Sequence, residues 1–132
     1  MAEKIKFDLI SPEKILLSRE VDMVTIPGGE GDYGVMHGHQ PMITTLRPGI
    51  IQIDDNELDG SNFYVDGGFA EITNGDCSVL ADDAVVVADL KKEDIQKRLD
   101  SAEAEKENYT NDLDISINEI RIEVLKKLLV ES

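Results

Sequence analysis

The chain has 132 residues, enough for one ordinary domain or a small domain with an appendage, and its formal net charge is −15. This charge repels phosphate backbones and anionic lipid headgroups, so it argues against nucleic-acid binding and direct membrane-surface binding. The single Cys77 excludes an internal disulfide, and no apolar run approaches the ~20 residues of a membrane-spanning helix. These features are those expected of a soluble cytoplasmic protein.

The charge is divided unevenly along the chain. Residues 1–89 carry 17 acidic and 5 basic side chains, a net charge of −12, whereas residues 90–132 carry 11 and 8, a net charge of −3. Glycine and proline end in the same region, since neither occurs from Lys91 onward. We therefore predict two domains, one over residues 1–89 and one over residues 90–132.

The first domain has the alternating patterns and turn signals of β-structure. Residues 5–9 alternate apolar and charged side chains, as in a strand with one buried face. Asn74-Gly75 and Gly67-Gly68 mark tight turns, and residues 55–62 form a polar loop. The predicted strands are 5–9, 15–17, 24–26, 34–36, 51–54, 63–66, 69–72, 77–81 and 84–88, with 42–46 either a strand or a helical turn. This regular spacing predicts an antiparallel sandwich or a flattened barrel.

The second domain has apolar residues at helical spacing. They form one stripe of Ile95, Leu99, Ala102 and Tyr109, and a second of Leu113, Ile117, Ile120, Val124 and Leu128, widened by Ile122, Leu125 and Leu129. Residues 108–112 are the predicted turn, with Thr110 or Asn111 as N-cap of the second helix. The chain is therefore predicted to be an α+β protein, mainly β, in which a sandwich precedes an α-helical hairpin.

A possible metal site is suggested by Gly31-x5-His37-x-His39, which resembles the opening of a cupin motif. In that motif a glutamate follows and a later strand adds a third histidine, whereas this chain has Ile43 and Thr44 in place of the glutamate and only two histidines. Two imidazoles alone make a poor metal site. A small metal- or ligand-binding enzyme centred on His37 and His39 is the alternative function, and a backbone-bonded turn histidine is the simpler interpretation.

Other catalytic motifs are missing from the sequence. It contains no phosphate-binding loop, no dinucleotide fingerprint, no C-x-x-C and no nucleophile elbow. Asp82 and Asp83 are neighbours whose side chains would point to opposite faces of a strand, and Cys77 lies in a predicted strand, where a small buried apolar role is commoner. We predict a protein that is not an enzyme and that holds no cofactor or metal.

Several motifs together resemble one family. They are Pro27-Gly28-x-x-Gly31-Asp32-x-Gly34-Val35, Gly38-His39-x-Pro41, Leu46-x-Pro48-Gly49, residues 65–72 (Val-Asp-Gly-Gly-Phe-Ala-Glu-Ile) and residues 79–84 (Val-Leu-Ala-Asp-Asp-Ala). In this order and spacing they are similar to the epsilon subunit of bacterial F-type ATP synthases, the equivalent of the mitochondrial delta subunit. That family has a ten-stranded β-sandwich followed by a helical hairpin, so the resemblance covers the whole chain.

The resemblance implies a non-catalytic rotor subunit of the central stalk. In the family this subunit binds the gamma subunit and rests on the polar loops of the membrane c-ring, so that proton-driven rotation reaches the catalytic head. The positions matching the c-ring contact are Glu30, Asp32 and His39, whose simpler roles are turn formation and backbone bonding. The implied location is peripheral, on the cytoplasmic face of the bacterial inner membrane.

Two regulatory features of the family are weak in this sequence. In some relatives the hairpin contacts the alpha/beta catalytic head and inhibits ATP hydrolysis through basic residues of the last helix; here Arg121, Lys126 and Lys127 are interspersed with Glu119, Glu123 and Glu131. Other relatives bind ATP through an I-D-x-x-R-A motif, whose nearest match, residues 95–100, is degraded. We predict no nucleotide binding and a hairpin folded against the sandwich.

Overall fold

The computed structural model describes residues 3–55 and 62–131. Contacts divide the chain into two compact units, one ending at Ala88 and the other beginning at Asp89. The polar loop predicted for residues 55–62 lies outside the described residues except at its two ends. Strands occupy the first unit and two α-helices occupy the second. The predicted fold class, a β-sandwich followed by a helical hairpin, is confirmed.

Ten strands are present in the described part of the first unit. They are β1 Ile5–Ile10, β2 Ile15–Val21, β3 Met23–Gly28, β4 Gly31–Val35, β5 Met42–Thr45, β6 Gly49–Asp54, β7 Asn62–Val65, β8 Gly68–Ile72, β9 Asp76–Ala81 and β10 Ala84–Val86. The segment that was ambiguous between strand and helix is therefore the strand β5. The predicted segments 15–17 and 34–36 mark the right strands with the wrong ends, because element boundaries are the least constrained by local pattern.

The strands form two five-stranded sheets. The first sheet has the order β2-β1-β9-β8-β5 and the second has the order β10-β7-β6-β3-β4. The described strand pairs are antiparallel except β1 with β9, which is parallel and places Phe7 opposite Cys77. This pairing joins residues about seventy positions apart in sequence, beyond the reach of the hairpin signals that local turn chemistry supplies.

The interior of the sandwich is filled by the inward side chains of both sheets. Alternation along β1 buries Ile5, Phe7 and Leu9, and alternation along β9 buries Cys77 and Val79. Buried side chains of the second sheet complete one cluster, among them Val24, Ile26, Val35, Ile51, Phe63 and Val65. Burying these apolar side chains supplies most of the favourable free energy of such a fold.

A buried ion cluster links the two sheets at one end. Asp55 follows β6 and is 5% exposed. It forms ion pairs with Lys4 Nζ at 3.3 Å and with Arg19 Nη2 at 3.2 Å. Lys4 precedes β1 and Arg19 lies on β2, so both cations come from the first sheet. A carboxylate this deeply buried requires such partners, because an uncompensated buried charge is strongly destabilising.

The bend between β7 and β8 depends on two glycines. Gly67 and Gly68 have φ values of +86° and +119°, which other residues rarely adopt. A Cβ at Gly68 would lie 2.1 Å from the carbonyl oxygen of Leu80. The Asp82 amide donates to the Gly67 carbonyl at 3.2 Å, so the bend is held against the end of β9. The Gly-Gly pair that predicted a turn is therefore required by close backbone packing as well.

The second unit is a hairpin of two helices that contact each other. Helix α1 spans Lys92–Glu105, a 3-10 turn follows at Lys106–Asn108, and α2 spans Asp112–Glu131. Of the two predicted N-caps the structure selects Asn111, whose Oδ1 accepts the Asp114 amide at 2.8 Å. This bond satisfies one of the amides that a helix start leaves without an intrahelical partner.

The buried stripe of α2 differs from the predicted one. On α1 the predicted Ile95, Leu99 and Ala102 are buried. On α2 the buried residues are Asn118, Ile122, Leu125 and Leu128, whereas Leu113, at the start of the predicted apolar stripe, is 69% exposed. A purely apolar template cannot select Asn118, which is buried because its amide finds specific partners.

Candidate partner-binding surfaces

The β3–β4 hairpin carries two of the three residues matched to a c-ring contact. The two strands pair from Val24 opposite Val35 to Gly28 opposite Gly31, so Gly29 and Glu30 form a two-residue turn. Glu30 is exposed at this tip. The structure thus places one carboxylate at the extreme end of the sandwich, on a turn held by the strand ladder on both sides.

Asp32 is the second of these residues, and it is already paired within the sandwich. Arg47 Nη2 forms an ion pair with Asp32 Oδ1, and Arg47 Nη1 donates to the Gly28 carbonyl at 3.1 Å. Asp32 lies in β4 rather than in the turn, and its side chain remains 62% exposed. The charge of the Asp32 carboxylate is therefore partly compensated by Arg47. Glu30 is the other exposed carboxylate at this end of the sandwich.

His39 lies at the opposite end of β4 from Glu30. Its amide donates to the Met36 carbonyl at 3.1 Å, and Nδ1–H donates to the Gln40 carbonyl at 2.8 Å. The neighbouring Gly38 amide donates to Asn74 in the β8–β9 turn at 2.7 Å. A strand of this length separates the two ends by on the order of 15 Å. The structure thus brings Glu30 and Asp32 together but not His39.

The two histidines of the cupin-like alternative contact different groups. His37 Nε2 lies 2.9 Å from Glu3 Oε2, while the His39 ring is bonded to backbone. Within residues 3–55 and 62–131, no three His, Cys, Asp or Glu side chains gather as metal ligands. The geometry of these two imidazoles therefore gives the metal-site alternative no support.

An exposed apolar row crosses the outward face of the first sheet. Strand register places Ile10 beside both Ile15 and Leu80, and Leu80 beside Phe69. We call these four residues the apolar row. Ile15 is 64% exposed, Phe69 44% and Leu80 41%. Exposed apolar side chains that adjoin one another across strands, rather than lying singly, indicate a binding surface.

Sequence reasoning missed the apolar row, although a signal for it was present. A strand with one wet face should alternate apolar and polar residues, yet Val79, Leu80 and Ala81 are all apolar, and Phe69 and Ile72 fall on opposite faces of β8. Ile43, 71% exposed on the edge strand β5, extends the apolar area on the same face. Loss of alternation in β8 and β9 was therefore the readable sign of a second apolar face.

Two of the three basic residues of the last helix, Arg121 and Lys126, contact groups within the helical hairpin. Arg121 Nη1 donates to Asn118 Oδ1 at 2.8 Å, and Lys126 Nζ lies 3.9 Å from Glu103 Oε1. Glu103 also pairs with Lys106 at 2.8 Å, and this hydrogen bond is the main cause that lowers the pKa of the Glu103 carboxyl. The Lys126–Glu103 pair joins the two helices, whereas the Arg121–Asn118 bond lies within α2.

The remaining residues considered in the sequence, Cys77, Asp82 and Asp83, have structural roles. Cys77 is fully buried, and desolvation, followed by the nearby Asp8 carboxylate, raises its pKa to about 12. Asp82 and Asp83 form the turn between β9 and β10, where the Asp83 carbonyl accepts the Asp66 amide at 2.9 Å. In the helices that the structure describes, no stretch has the length and apolar character needed to cross a bilayer.

The family model for the ATP synthase, Delta/Epsilon chain, beta-sandwich domain matches residues 4–87. The chain belongs to the ATP synthase delta/epsilon family. The resemblance drawn from the sequence motifs is thereby confirmed. Among relatives of this family, the ATP synthase epsilon chain of Parvibaculum lavamentivorans is 46% identical over 112 residues, covering 85% of each chain. That of Granulibacter bethesdensis is 52% identical over 97 residues, covering 74% of this chain and 72% of the relative.

Chains in solved structures of ATP synthases extend the likeness to the helical hairpin. A chain of the Euglena gracilis mitochondrial ATP synthase, solved as its OSCP/F1/c-ring assembly, matches 99% of this chain and 82% of its own length, with a TM-score of 0.75 and 25% identity. A chain of the Tetrahymena thermophila central stalk and c-ring shares the fold with a TM-score of 0.67 at 15% identity, covering 97% of this chain and 98% of its own.

Proposed function

We propose that this delta/epsilon chain is a non-catalytic subunit of the central stalk of an F-type ATP synthase, where it couples rotation of the c-ring to the catalytic head. The observation that carries the proposal is the match over nearly the whole chain to a subunit of a solved ATP synthase assembly, together with family membership over residues 4–87. The proposed location is peripheral, on the cytoplasmic face of the bacterial inner membrane.

The construction of the sandwich suits a mechanical role. Its interior is one cluster of close-packed apolar side chains between two hydrogen-bonded sheets, and protein interiors of this kind are hardly compressible. The Asp55 cluster and the parallel β1–β9 pair tie distant parts of the chain together. A body held in this way transmits torque between two partners with little deformation.

The outward face of the first sheet is the proposed contact with the gamma subunit. The apolar row offers apolar surface that would otherwise remain in water. Next to it the same face carries polar residues, since Asp8 lies beside Ser78 and Ser78 beside Glu71. An apolar centre with a polar border is the usual arrangement of a protein–protein interface.

The β3–β4 hairpin is the proposed contact with the c-ring loops. Exposed Glu30 supplies a carboxylate for basic groups on those loops, and Asp32, shared with Arg47, supplies directional hydrogen bonding. Such charge pairs set the orientation of two partners more than their affinity. His39 stays a predicted ring contact, and because it lies at the other end of β4 it would meet a different part of the ring or of its neighbours.

The helical hairpin of α1 and α2 is the proposed contact with the alpha/beta head, without an inhibitory role. Arg121 and Lys126 are engaged with Asn118 and Glu103, and the last helix carries acidic residues among its bases. Exposed Leu113 and Val130 provide apolar contact points on α2. This distribution supports docking through apolar contacts rather than through a basic helix face.

Copurification with gamma tests the proposed function. The wild-type chain, coexpressed with tagged gamma, should copurify in stoichiometric amounts. Phe69→Asp places a charge in the apolar row and should weaken binding by about tenfold or more, because an uncompensated charge would be desolvated. Gln52→Asp, an exposed change on the second sheet, is the matched control and should bind normally. Failure of the wild-type chain to bind gamma would contradict the proposal.

Charge reversal at Glu30, in the β3–β4 hairpin, tests the c-ring contact separately. Glu30→Lys should reduce ATP-driven proton pumping in reconstituted vesicles while gamma binding is unchanged, and Glu30→Gln should show a smaller loss. The reason is that lysine repels basic loop groups whereas glutamine only removes an attraction. Equal pumping by wild type and Glu30→Lys would contradict this site assignment.

A further inference from the structure

A notch lies at one end of the apolar row. Its volume is about 190 Å³, and the residues that line it include Ile10, Pro12, Phe69, Leu80 and Asp82. The open notch is larger than the ~150 Å³ cavity that admits a benzene molecule in another protein. One large aliphatic or aromatic side chain therefore fits it.

A second depression, which we call the acidic groove, lies beside the notch. This second depression has a volume of about 250 Å³ and is lined in part by Glu13, Lys14, Asp82 and Asp83. Ser11, Pro12 and Asp82 line both depressions, so the two adjoin each other. Three carboxylates against one ammonium give the groove a negative potential, which favours a cationic side chain there.

The walls of the notch are fixed before any partner arrives. Leu80 and Phe69 are directly paired across the β8–β9 ladder, and Ile10 is paired to Leu80 on its other side. Pro12 lies in the β1–β2 turn, where the Ser11 amide donates to the Lys14 carbonyl at 2.9 Å. A preformed site costs little ordering entropy on binding, which raises the affinity it can deliver.

We infer that gamma docks here through a two-part anchor: one apolar side chain inserted into the notch and an adjacent Lys or Arg placed in the acidic groove beside Asp82. This inference rests on the proposed contact between gamma and the outward face of the first sheet, and it selects the part of that face which holds most of the binding energy. Binding energy commonly concentrates in a few anchors that fill pockets, with near-neutral contacts around them. Ile43 is exposed on the same face but lies outside the notch.

Binding of purified gamma to full-length variants tests the anchor. Leu80→Ser removes one wall of the notch and should raise the dissociation constant for gamma about tenfold or more. Phe69→Ala removes another wall and should have the same effect. Ile43→Ser is the matched control on the same face and should change the constant by less than about twofold. Circular dichroism and unfolding midpoints verify that each variant is folded.

Salt dependence tests the cationic half of the anchor. Between about 50 and 300 mM salt, wild-type affinity should fall, whereas Asp82→Asn should bind several-fold more weakly at low salt and lose part of this dependence, since screening acts on charge pairs. If Leu80→Ser and Phe69→Ala bind gamma with normal affinity, the inference that the notch anchors gamma is overturned, whereas the proposed contact with the outward face of the first sheet is not. Equal weakening by Ile43→Ser also overturns that inference, because binding would then be diffuse. A wild-type chain that does not bind gamma overturns both the inference and the proposed function.

Discussion

At the scale of single residues, burial decides the chemistry of Cys77. The strand pattern around it predicts a small buried apolar residue, and the structure confirms this, with the side chain fully enclosed between β1 and β8 neighbours. Desolvation disfavours the thiolate, and Asp8 adds a smaller effect of the same sign, so the pKa is raised to about 12. A protonated, enclosed thiol is a poor nucleophile.

Cys77 should therefore resist thiol reagents in the native protein. At about pH 8 a disulfide reagent should label it only as fast as the protein opens, and denaturant should restore the rate of an ordinary cysteine. Fast stoichiometric labelling of the native chain, measured by absorbance, would contradict the enclosed position.

The raised pKa of Cys77 also has a consequence for stability at high pH. Between the ordinary value of 9.0 and about 12 the folded state keeps a proton that the unfolded state loses, so the free energy of unfolding falls as pH rises through this window. One such group contributes a slope of about 1.4 kcal/mol per pH unit. Cys77→Ala is the control and should lose less stability over the same range in denaturant titrations; equal losses would contradict the assignment.

The residue scale also shows what sequence cannot supply. Glu30 and Asp32 were identified from motif positions, but the partner of Asp32 is Arg47, fifteen residues away, next to the isolated Gly28–Leu46 bridge. The partners of buried Asp55 are likewise distant in sequence. Ion pairs of this kind follow from the folded arrangement of strands, and no local pattern encodes them.

At the scale of elements, the turn chemistry of the sequence was the most informative signal. Turns lie at Gly67-Gly68 and Asn74-Gly75 as predicted. At Gly67 and Gly68 the φ angles are positive, which few residues other than glycine tolerate. Strand ends and the parallel β1–β9 pair could not be predicted, since both depend on contacts between distant segments. The apolar row was open to prediction only through the lost alternation of β8 and β9.

Gly68→Ala should destabilise the sandwich strongly. The new Cβ would lie 2.1 Å from the Leu80 carbonyl oxygen at a φ of +119°, so the β7–β8 bend must shift, at a cost of at least about 2 kcal/mol. Gly34→Ala is the control, because its Cβ would only meet Met23 Sδ at an ordinary 3.7 Å. Urea unfolding curves that coincide for the two variants would contradict this account of the bend.

Asn118→Ala should destabilise the hairpin. Asn118 Nδ2 donates to the Ala102 carbonyl at 2.9 Å, near the end of α1, where helix carbonyls have no intrahelical amide. Losing this buried bond should cost about 1–3 kcal/mol of unfolding free energy. The measurement is denaturation followed by the helical circular dichroism signal.

Asn108→Ala is the control for the hairpin variant. Asn108 is exposed and bonds only to nearby Glu105 among the contacts described, so its removal should cost less than about 0.5 kcal/mol. If the two asparagine variants unfolded alike, the bond across the hairpin would not be what fixes the pairing of the helices.

At the scale of the whole molecule, the chain combines a stiff acidic sandwich with a small helical hairpin. Its sheet face exposes apolar side chains, and one end of the same body exposes carboxylates, which are the surfaces proposed for two different partners. Family membership over residues 4–87 and the likeness to a subunit of a solved ATP synthase assign this body to a rotary machine. The function follows from rigidity and surface rather than from a reactive group.

The most direct test of this account is the number of protons pumped per ATP hydrolysed by membrane vesicles that lack this chain, measured before and after the purified chain is added back. The account predicts a low ratio without the chain, because hydrolysis in the head is then poorly connected to the ring, and recovery of the ratio when the chain is restored. A ratio that is the same with and without the chain would contradict its role as a coupling subunit.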